Sequence, residues 1–391
     1  MYDFEYYAPT KVFFGRDSDE KIGTVLRDYG ASRILLHYGR GSAEKSGLLD
    51  KVRKSLSEAG LEYIEFGNVE ANPKIDLIRR GIELSKKENI DFILAVGGGS
   101  VIDSAKSISL GLAHDMDPWE MITSQIMPTK NFPIGVVLTH AAAGSEMSNS
   151  HVVTNPEYNL KRSLNHDLLR PIFAFMNPEN TYSVSKYQTG CGIVDILMHT
   201  CERYFTIDED NDLTDRISEG LMVAVKNAGI EAIKDPYNYE ARATLMWASS
   251  LSHNGLTGCG KKILFPVHKM EHDFSGLFDH VAHAAGLSVL FPAWAKYVYK
   301  HDIRKFSQFA TRVWGVEMNY DNPERTALRG IEVMTEYFRQ IGMPTTMKEL
   351  GINPEDYESI VNLTTDNGKK TIASYVELTK EDILNIYRLA E

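Results

Sequence analysis

Along the first half of the chain, apolar residues gather in short runs: Lys11 to Gly15, Arg33 to Gly39, Glu62 to Gly67, Asp91 to Gly98 and Pro133 to Thr139. Runs of this length, bounded by glycine, proline or polar residues, predict strands. Between them, Ser18 to Tyr29, Glu44 to Ala59 and Ile75 to Asn89 repeat their apolar positions at helical spacing, and Asn72-Pro73 supplies a start signal for the third. Strands alternating with helices predict a parallel sheet wrapped on both faces, with a ligand crevice at the carboxyl ends of the strands. After Asn177-Pro178 the pattern changes. From about Ser183 onward, long segments of helical period without strand signals dominate, divided at Asp235-Pro236, Phe265-Pro266, Phe291-Pro292 and Met343-Pro344. The expected fold is therefore an α/β N-terminal domain over residues 1–180 followed by an all-α C-terminal domain over residues 181–391.

One expected strand, Phe92-Ile93-Leu94-Ala95-Val96, runs straight into Gly97-Gly98-Gly99-Ser100-Val101-Ile102-Asp103-Ser104-Ala105-Lys106, which opens an amphipathic segment. A strand, a tight glycine turn and a helix whose first amides are unpaired make a phosphate site, because the glycines let backbone approach closely and the helix dipole favours negative charge. Gly97, Gly98, Gly99 and Ser100 are the candidates for holding a dinucleotide, with Asp103 next along the run. By default Asp103 and Lys106 occupy a solvated helix face. Ile102 stands where a third glycine would complete the common dinucleotide fingerprint, so the turn alone also fits a loop that merely reverses the chain.

The second half carries a different chemistry. In Asp195-Ile-Leu-Met-His199 a carboxylate and an imidazole stand one turn apart on one helix face, and His268-Lys-Met-Glu-His272 repeats the spacing, with His283 following across Gly276 and an expected turn. One oxygen and three imidazoles, from Asp195, His199, His268 and His283, suit a divalent zinc or ferrous ion with a position left open for substrate. Any one histidine of the twelve is more simply a core or surface residue; the joint arrangement is what points to a metal. His272 stays nearby without being needed as a ligand, which makes it the candidate for ordering substrate or relaying its proton, with packing as the alternative.

Composition narrows the classes. A net charge of -11 repels nucleic acid and anionic membrane surfaces, so neither is an expected partner. Cys191, Cys201 and Cys259 are odd in number and lack CxxC spacing, which fits reduced thiols in a cytoplasm. The N-terminus shows neither a basic nor an apolar targeting region, and no apolar run is long enough to span a bilayer.

The chain resembles the iron-containing, group III alcohol dehydrogenases, near the butanol dehydrogenase and broad-range aldehyde reductase branch. The resemblance is carried by Pro9-Thr10-Lys11-Val12-Phe13-Phe14-Gly15, Tyr38-Gly39-Arg40-Gly41-Ser42, the Gly97 to Lys106 run, Gly144-Ser145-Glu146-Met147, Leu169-Arg170-Pro171, Asp195-x-x-x-His199, His268-x-x-x-His272 and His283-x-x-Gly286. It implies a dehydroquinate synthase-like architecture and a metal-dependent oxidoreductase acting on short- to medium-chain primary alcohols or aldehydes. It further implies Asp195, His199, His268 and His283 as metal ligands, Thr139, Ser145 and Lys161 along the cofactor, and a homodimer, formed through the N-terminal strand near Lys11 to Gly15. Ala143 replaces a threonine common in relatives, and His280 competes with His283 on paper until the register of the following Ala-Ala-Gly-Leu is matched.

Cofactor choice is expected from the turn after the second strand. An NAD-selective enzyme usually places a carboxylate there for the ribose 2′-hydroxyl. Here Gly39, Arg40, Gly41 and Ser42 present no acid before Glu44, and Arg40 and Ser42 can donate to a 2′-phosphate, so NADP(H) is expected ahead of NAD(H). The stretch His114 to Pro133, with Trp119, Met121, Ile122 and Met127, is expected to supply an apolar substrate wall. A dehydroquinate synthase-like lyase and a silent nucleotide-binding metalloprotein are the competing readings; the former needs several basic side chains for an anionic substrate, and the segments around the metal pairs are poor in arginine.

Overall fold

The computed structural model describes residues 1–158, 160–207, 211–278 and 280–391, and the side chain of Ser42 also lies outside the described part. The chain divides into two units: a sheet unit of Tyr7–Val184 with Asp235–Asn254, and a helical unit of Met1–Tyr6, Ser185–Lys234 and Gly255–Glu391.

In the sheet unit the described residues form eight strands, β1 Lys11–Phe14, β2 Arg33–Gly39, β3 Glu62–Val69, β4 Phe92–Gly97, β5 Ile134–Leu138, β6 Ser150–Asn155, β7 Leu160–Asn165 and β8 Phe173–Met176. Six of them form one sheet in the order β1-β8-β5-β4-β2-β3, and every pairing is parallel. Successive side chains leave opposite faces of a strand, and here both faces are covered. Ile34, Leu36, Leu94 and Val96 pack with Leu26, Val52 and Leu56 on one side, while Leu35, Ile93, Ala95 and Val136 pack with Ile78, Ile102 and Ile108 on the other. That double burial is why the strands read as continuous apolar runs.

Two features of this unit escape the hydrophobic pattern. β8, the four residues Phe-Ala-Phe-Met, inserts between β1 and β5 and was not expected. The antiparallel hairpin β6-β7 mixes polar and apolar residues on both strands and was not expected. The helix expected over 44–59 is two helices, Ser42–Lys45 and Leu48–Glu58, because Gly47 between them adopts φ 76°, a left-handed conformation that interrupts helical bonding. A single boundary near residue 180 makes no provision for the helix Tyr239–His253, which belongs to the sheet unit, or for Met1–Tyr6, which belongs to the helical unit.

No strand occurs in the helical unit among the described residues. Three of its helices, Lys186–Tyr204, Pro266–Leu277 and His283–Val298, carry the expected metal residues. Its core includes an aromatic cluster in which Phe205 stacks on Phe306 at 4.4 Å, meets Trp294 edge-on and lies tilted against Phe291. The break expected at Phe291-Pro292 is absent: Pro292 lies inside the helix His283–Val298. A proline there costs about 3 kcal/mol, but nearly every residue from Ala284 to Ala295 is buried, and that packing outweighs the lost hydrogen bond. Among the described residues no helix is long and apolar enough to cross a membrane.

Candidate active site

The glycine run closes β4. Gly97 ends the strand, Gly98 is the N-cap, and Gly99 and Ser100 open the helix Gly99–His114. Packing dictates the first two glycines, since a Cβ on Gly97 would lie 2.4 Å from Val101 Cγ2 and one on Gly98 would lie 3.0 Å from His140 Cβ. Val101 N and Ile102 N bond to Gly98 O, so the amides of Gly99 and Ser100 precede the first helical bonds and are donors of the kind that take a phosphate. Thr139 follows β5, its amide bonded to Gly97 O at 3.1 Å.

Behind this turn the expected solvated face of Asp103 and Lys106 is overturned. Lys106 is 0% exposed and its Nζ donates to Ser145 Oγ at 3.0 Å, Ser148 O at 3.0 Å and Ser150 O at 2.7 Å. Asp103 accepts from Ser145 Oγ at 2.6 Å and from Val152 N at 3.1 Å. The reason is a second layer of chain, residues 145–152, laid over this side of the helix, which helical period cannot reveal. Burial lowers the Lys106 amine to about 8, with the neighbouring Asp103 carboxylate opposing the shift; burial also raises Asp103. Ser145 is thus held from two sides, and the helix Tyr239–His253 backs the same loop: Ser249 Oγ donates to Ala142 O at 3.2 Å and Ser250 Oγ donates to Glu146 Oε1. Gly144 is required by that contact, with φ 66° and a would-be Cβ only 2.4 Å from Ser249 O. Lys161, on β7, is buried.

At the end of β2, Arg40 is exposed and ion-paired with Glu70, just past β3. Nothing in the periodicity singles out Glu70. Gly39 has only ordinary contacts around a would-be Cβ, and Gly41 adopts φ 122°. Ser42 starts a short helix, but its expected contact lies outside the described side chains. The expected apolar wall is largely lost to the core: Met121 and Ile122 are buried, Trp119 packs against the same cluster, and Met127 remains exposed.

In the helical unit the expected metal residues come together. Ligand-type atoms of Asp195, His199 and His268 all lie within 4.8 Å of one another, and so do those of Glu271, His272 and His283. The two groups meet at Asp195 Oδ1, which is 4.0 Å from His268 Nε2 and 3.9 Å from His283 Nε2. His272 stands beside them, its ring 5.4 Å from that of His283. His280 instead points its Nε2 at Leu350 O, 3.2 Å away. Cys191 and Cys201, flanking the first pair, are buried free thiols.

The opposite nitrogen of each ring explains how the group fits an ion. His199 Nδ1 lies 3.0 Å from Asp195 O, His268 Nδ1 contacts Glu202 Oε2, and His283 Nδ1 contacts Glu271 Oε2. A carbonyl or carboxylate oxygen only accepts, so each Nδ1 carries a proton, and it is Nε2 whose lone pair would be offered to an ion. Burial, then the adjacent His268 ring, depresses His199 well below the usual histidine range and keeps it neutral. Burial also pushes the Glu202 carboxyl up to about 7, opposed by the amides of Val267 and His268. Imidazoles held through Nδ1 and buried carboxylates around one point are the complement of a dication.

A parallel-sheet unit with a phosphate-type turn and a helical unit with a metal-type donor cluster together define a metal-dependent, nucleotide-using enzyme. The family model for iron-containing alcohol dehydrogenase matches residues 9–178, and that for the C-terminal part of the Fe-containing alcohol dehydrogenase family matches residues 189–390. The chain is 39% identical over 389 residues to an NADH-dependent butanol dehydrogenase A of Clostridium acetobutylicum, covering 99% of each chain. It is 30% identical over 396 residues to the NADPH-dependent aldehyde reductase YqhD of Escherichia coli, covering 100% of each. The crystal structure of an NADH-dependent butanol dehydrogenase A from Thermotoga maritima superposes with a TM-score of 0.95 at 33% identity, covering 100% of this chain and 99% of that one. The chain belongs to the iron-containing alcohol dehydrogenase family and is an oxidoreductase that uses a metal and a nicotinamide cofactor.

Proposed function

We propose that the protein transfers hydride between a nicotinamide cofactor and primary alcohols or aldehydes of short to medium chain. The observation that carries this reading is the approach of His268 Nε2 and His283 Nε2 to within 4.0 Å of Asp195 Oδ1, each ring with its other nitrogen pinned by a carboxylate. Asp195, His199, His268 and His283 would hold one divalent ion, Fe2+ or Zn2+. When bound, such an ion supplies Lewis acidity to the substrate oxygen. The remaining work belongs to the chain. The amides of Gly99 and Ser100 receive the cofactor pyrophosphate, Lys106 and Asp103 fix Ser145 in the cofactor loop, and His272 carries a proton between substrate and solvent. Nucleotide binding falls to the domain over 1–180 and the chemistry to that over 181–391. Relatives named as a butanol dehydrogenase and an aldehyde reductase support the substrate class.

For the cofactor, the proposal is NADP(H) ahead of NAD(H), supported by the lack of a carboxylate at the end of β2 and by Arg40 beside it. Two observations favour NAD(H) instead: Glu70 is already ion-paired with Arg40, and several relatives are named NADH-dependent. We propose a cytoplasmic homodimer, supported by three free cysteines and by β1 at the sheet edge, with β8 as its one strand neighbour among the described residues. Light scattering tests the dimer.

The test of function is a panel of alcohols and aldehydes with both nicotinamides, run beside metal analysis of the wild type and of His268→Ala. The variant should lose metal and turnover together. Normal rates with a full equivalent of metal would defeat the ligand set, and turnover confined to a phosphorylated polyol would defeat the substrate class.

A further inference from the structure

We infer that Glu202 and Glu271 are positioning residues that set the affinity and geometry of the ion site, Glu202 acting through His268 and Glu271 through His283. The inference rests on the four-ligand reading above. Each carboxylate reaches from one ligand helix to a histidine on the next or at its start. Glu202 lies three residues past His199 on the helix Lys186–Tyr204, yet it serves His268 on the helix Pro266–Leu277. Glu271 lies three residues past His268, yet it serves His283, the first residue of the helix His283–Val298. The two carboxylates therefore tie three helices to one point.

Both side chains are 0% exposed. Glu202 Oε1 accepts from Val267 N at 2.7 Å, and Oε2 accepts from His268 N at 3.0 Å as well as from His268 Nδ1. Those amides belong to the first turn of their helix, where donors lack helical partners and the dipole favours an anion. Just before that turn, Phe265 holds φ 56°, a left-handed conformation that a non-glycine residue keeps only where its surroundings enforce it. Glu271 has a different fit. Its Oε1 has no hydrogen-bond partner among the described residues, and a Cβ on Gly286 would stand 2.8 Å from its Cγ and 2.9 Å from that oxygen. Gly286 is glycine because Glu271 occupies the space.

A carboxylate on Nδ1–H fixes tautomer and ring orientation and makes Nε2 a stronger donor to metal; losing such a partner costs about 10- to 100-fold in affinity. The three rings are not equivalent, because His199 Nδ1 faces Asp195 of its own helix, the carbonyl at 3.0 Å and Oδ1 at 3.3 Å, whereas His268 and His283 are each held by a glutamate from another helix. Glutamine discriminates the two carboxylates as well. At 202, either orientation of the amide turns its NH2 toward a backbone donor, so no flip relieves it; at 271, the amide oxygen can face His283.

The experiment compares holoenzymes of the wild type, Glu202→Gln, Glu271→Gln, Gly286→Ala and His268→Ala. Bound metal per chain, the rate at which EDTA strips Zn2+, and the visible spectrum after Co2+ loading are measured, with melting of the metal-free proteins as a control. Glu202→Gln should bind metal about 10- to 100-fold more weakly with a shifted Co2+ spectrum. Glu271→Gln should show a smaller loss, and Gly286→Ala, which displaces Glu271 without removing its charge, should weaken binding too. If Glu202→Gln does not fold, the other two variants carry the test. Stripping rates and Co2+ spectra equal to wild type in these variants, with metal absent from His268→Ala, would overturn the inference and leave the ligand set standing. Full metal in His268→Ala would overturn the ligand set itself.

Discussion

Gly39→Asp reads the cofactor proposal most directly. A Cβ at Gly39 would meet Val69 O at 3.6 Å and Val101 Cγ2 at 3.7 Å, ordinary contacts, and the residue does not use a left-handed φ. The side chain therefore enters without moving backbone, and the effect should appear in cofactor choice rather than in folding. A carboxylate at this turn accepts the ribose 2′-hydroxyl of NAD(H) and repels a 2′-phosphate. A hydrogen bond to a charged group contributes about 1.5 to 3 kcal/mol, or roughly 10- to 100-fold in kcat/KM with NAD(H). Repulsion between unit charges about 5 Å apart at an effective dielectric of about 20 is about 3 kcal/mol, a loss of similar size with NADP(H). Arg40 tempers both figures, because a new carboxylate beside it competes with Glu70 for the guanidinium, so the lower end of each range is the expected one. The assay is kcat/KM for butyraldehyde reduction with NADH and NADPH, wild type against variant. A wild type that favours NADH, or a ratio that moves less than about twofold toward NAD(H), would refute the reasoning, since a charge-assisted bond alone exceeds that.

Three further outcomes follow from buried contacts of the sheet unit. His37, 0% exposed, places Nδ1 2.8 Å from Phe66 O and Nε2 2.9 Å from Ser104 Oγ, and burial lowers it from 6.5 to about 4. Its stabilisation is complete above about pH 6.5 and is lost as pH falls through about 4, roughly 3 kcal/mol in all, so the stability gap between wild type and His37→Gln in urea should narrow from pH 7 to pH 4; a constant gap would count against it. Gly144→Ala forces a Cβ to within 2.4 Å of Ser249 O at a left-handed φ, and should cost about 2 to 4 kcal/mol in urea unfolding together with a higher KM for the cofactor; an unchanged midpoint would mean the loop moves freely. Lys106→Met should raise the cofactor KM about tenfold through the loss of charge-assisted bonds to the Ser145 loop while metal per chain stays constant, and loss of metal as well would show that the damage is global.

What the sequence discloses here follows from period. Strands buried on both faces announce themselves as apolar runs, so β2, β4 and β5 are legible to within a residue or two, while β8 was missed although it is buried throughout and no shorter than β1, which was expected. The pair Asp195 and His199 and the pair His268 and His272 are legible because spacing of four on a helix brings side chains together whatever the tertiary fold does. Pro292 misleads for the converse reason: a local rule predicts a break, and burial of the whole helix overrides it.

Buried charge is the case where period is silent. Glu202, Glu271 and Lys106 each stand on a helix at a position that, taken alone, reads as one more polar residue facing water, and all three are 0 or 1% exposed. No helix buries such a group for its own sake, because an unpaired charge in the interior costs several kcal/mol. Each is tolerated only where a neighbouring element brings partners: the amides and imidazole of the Pro266–Leu277 helix for Glu202, the His283 ring for Glu271, and the carbonyls of Ser148 and Ser150 for Lys106. Their burial is thus a property of the assembled elements and not of any one segment. The same dependence gives these residues a functional bearing, since a charge that requires a partner of fixed geometry also fixes that partner, and the partners are the proposed metal histidines and the proposed cofactor loop.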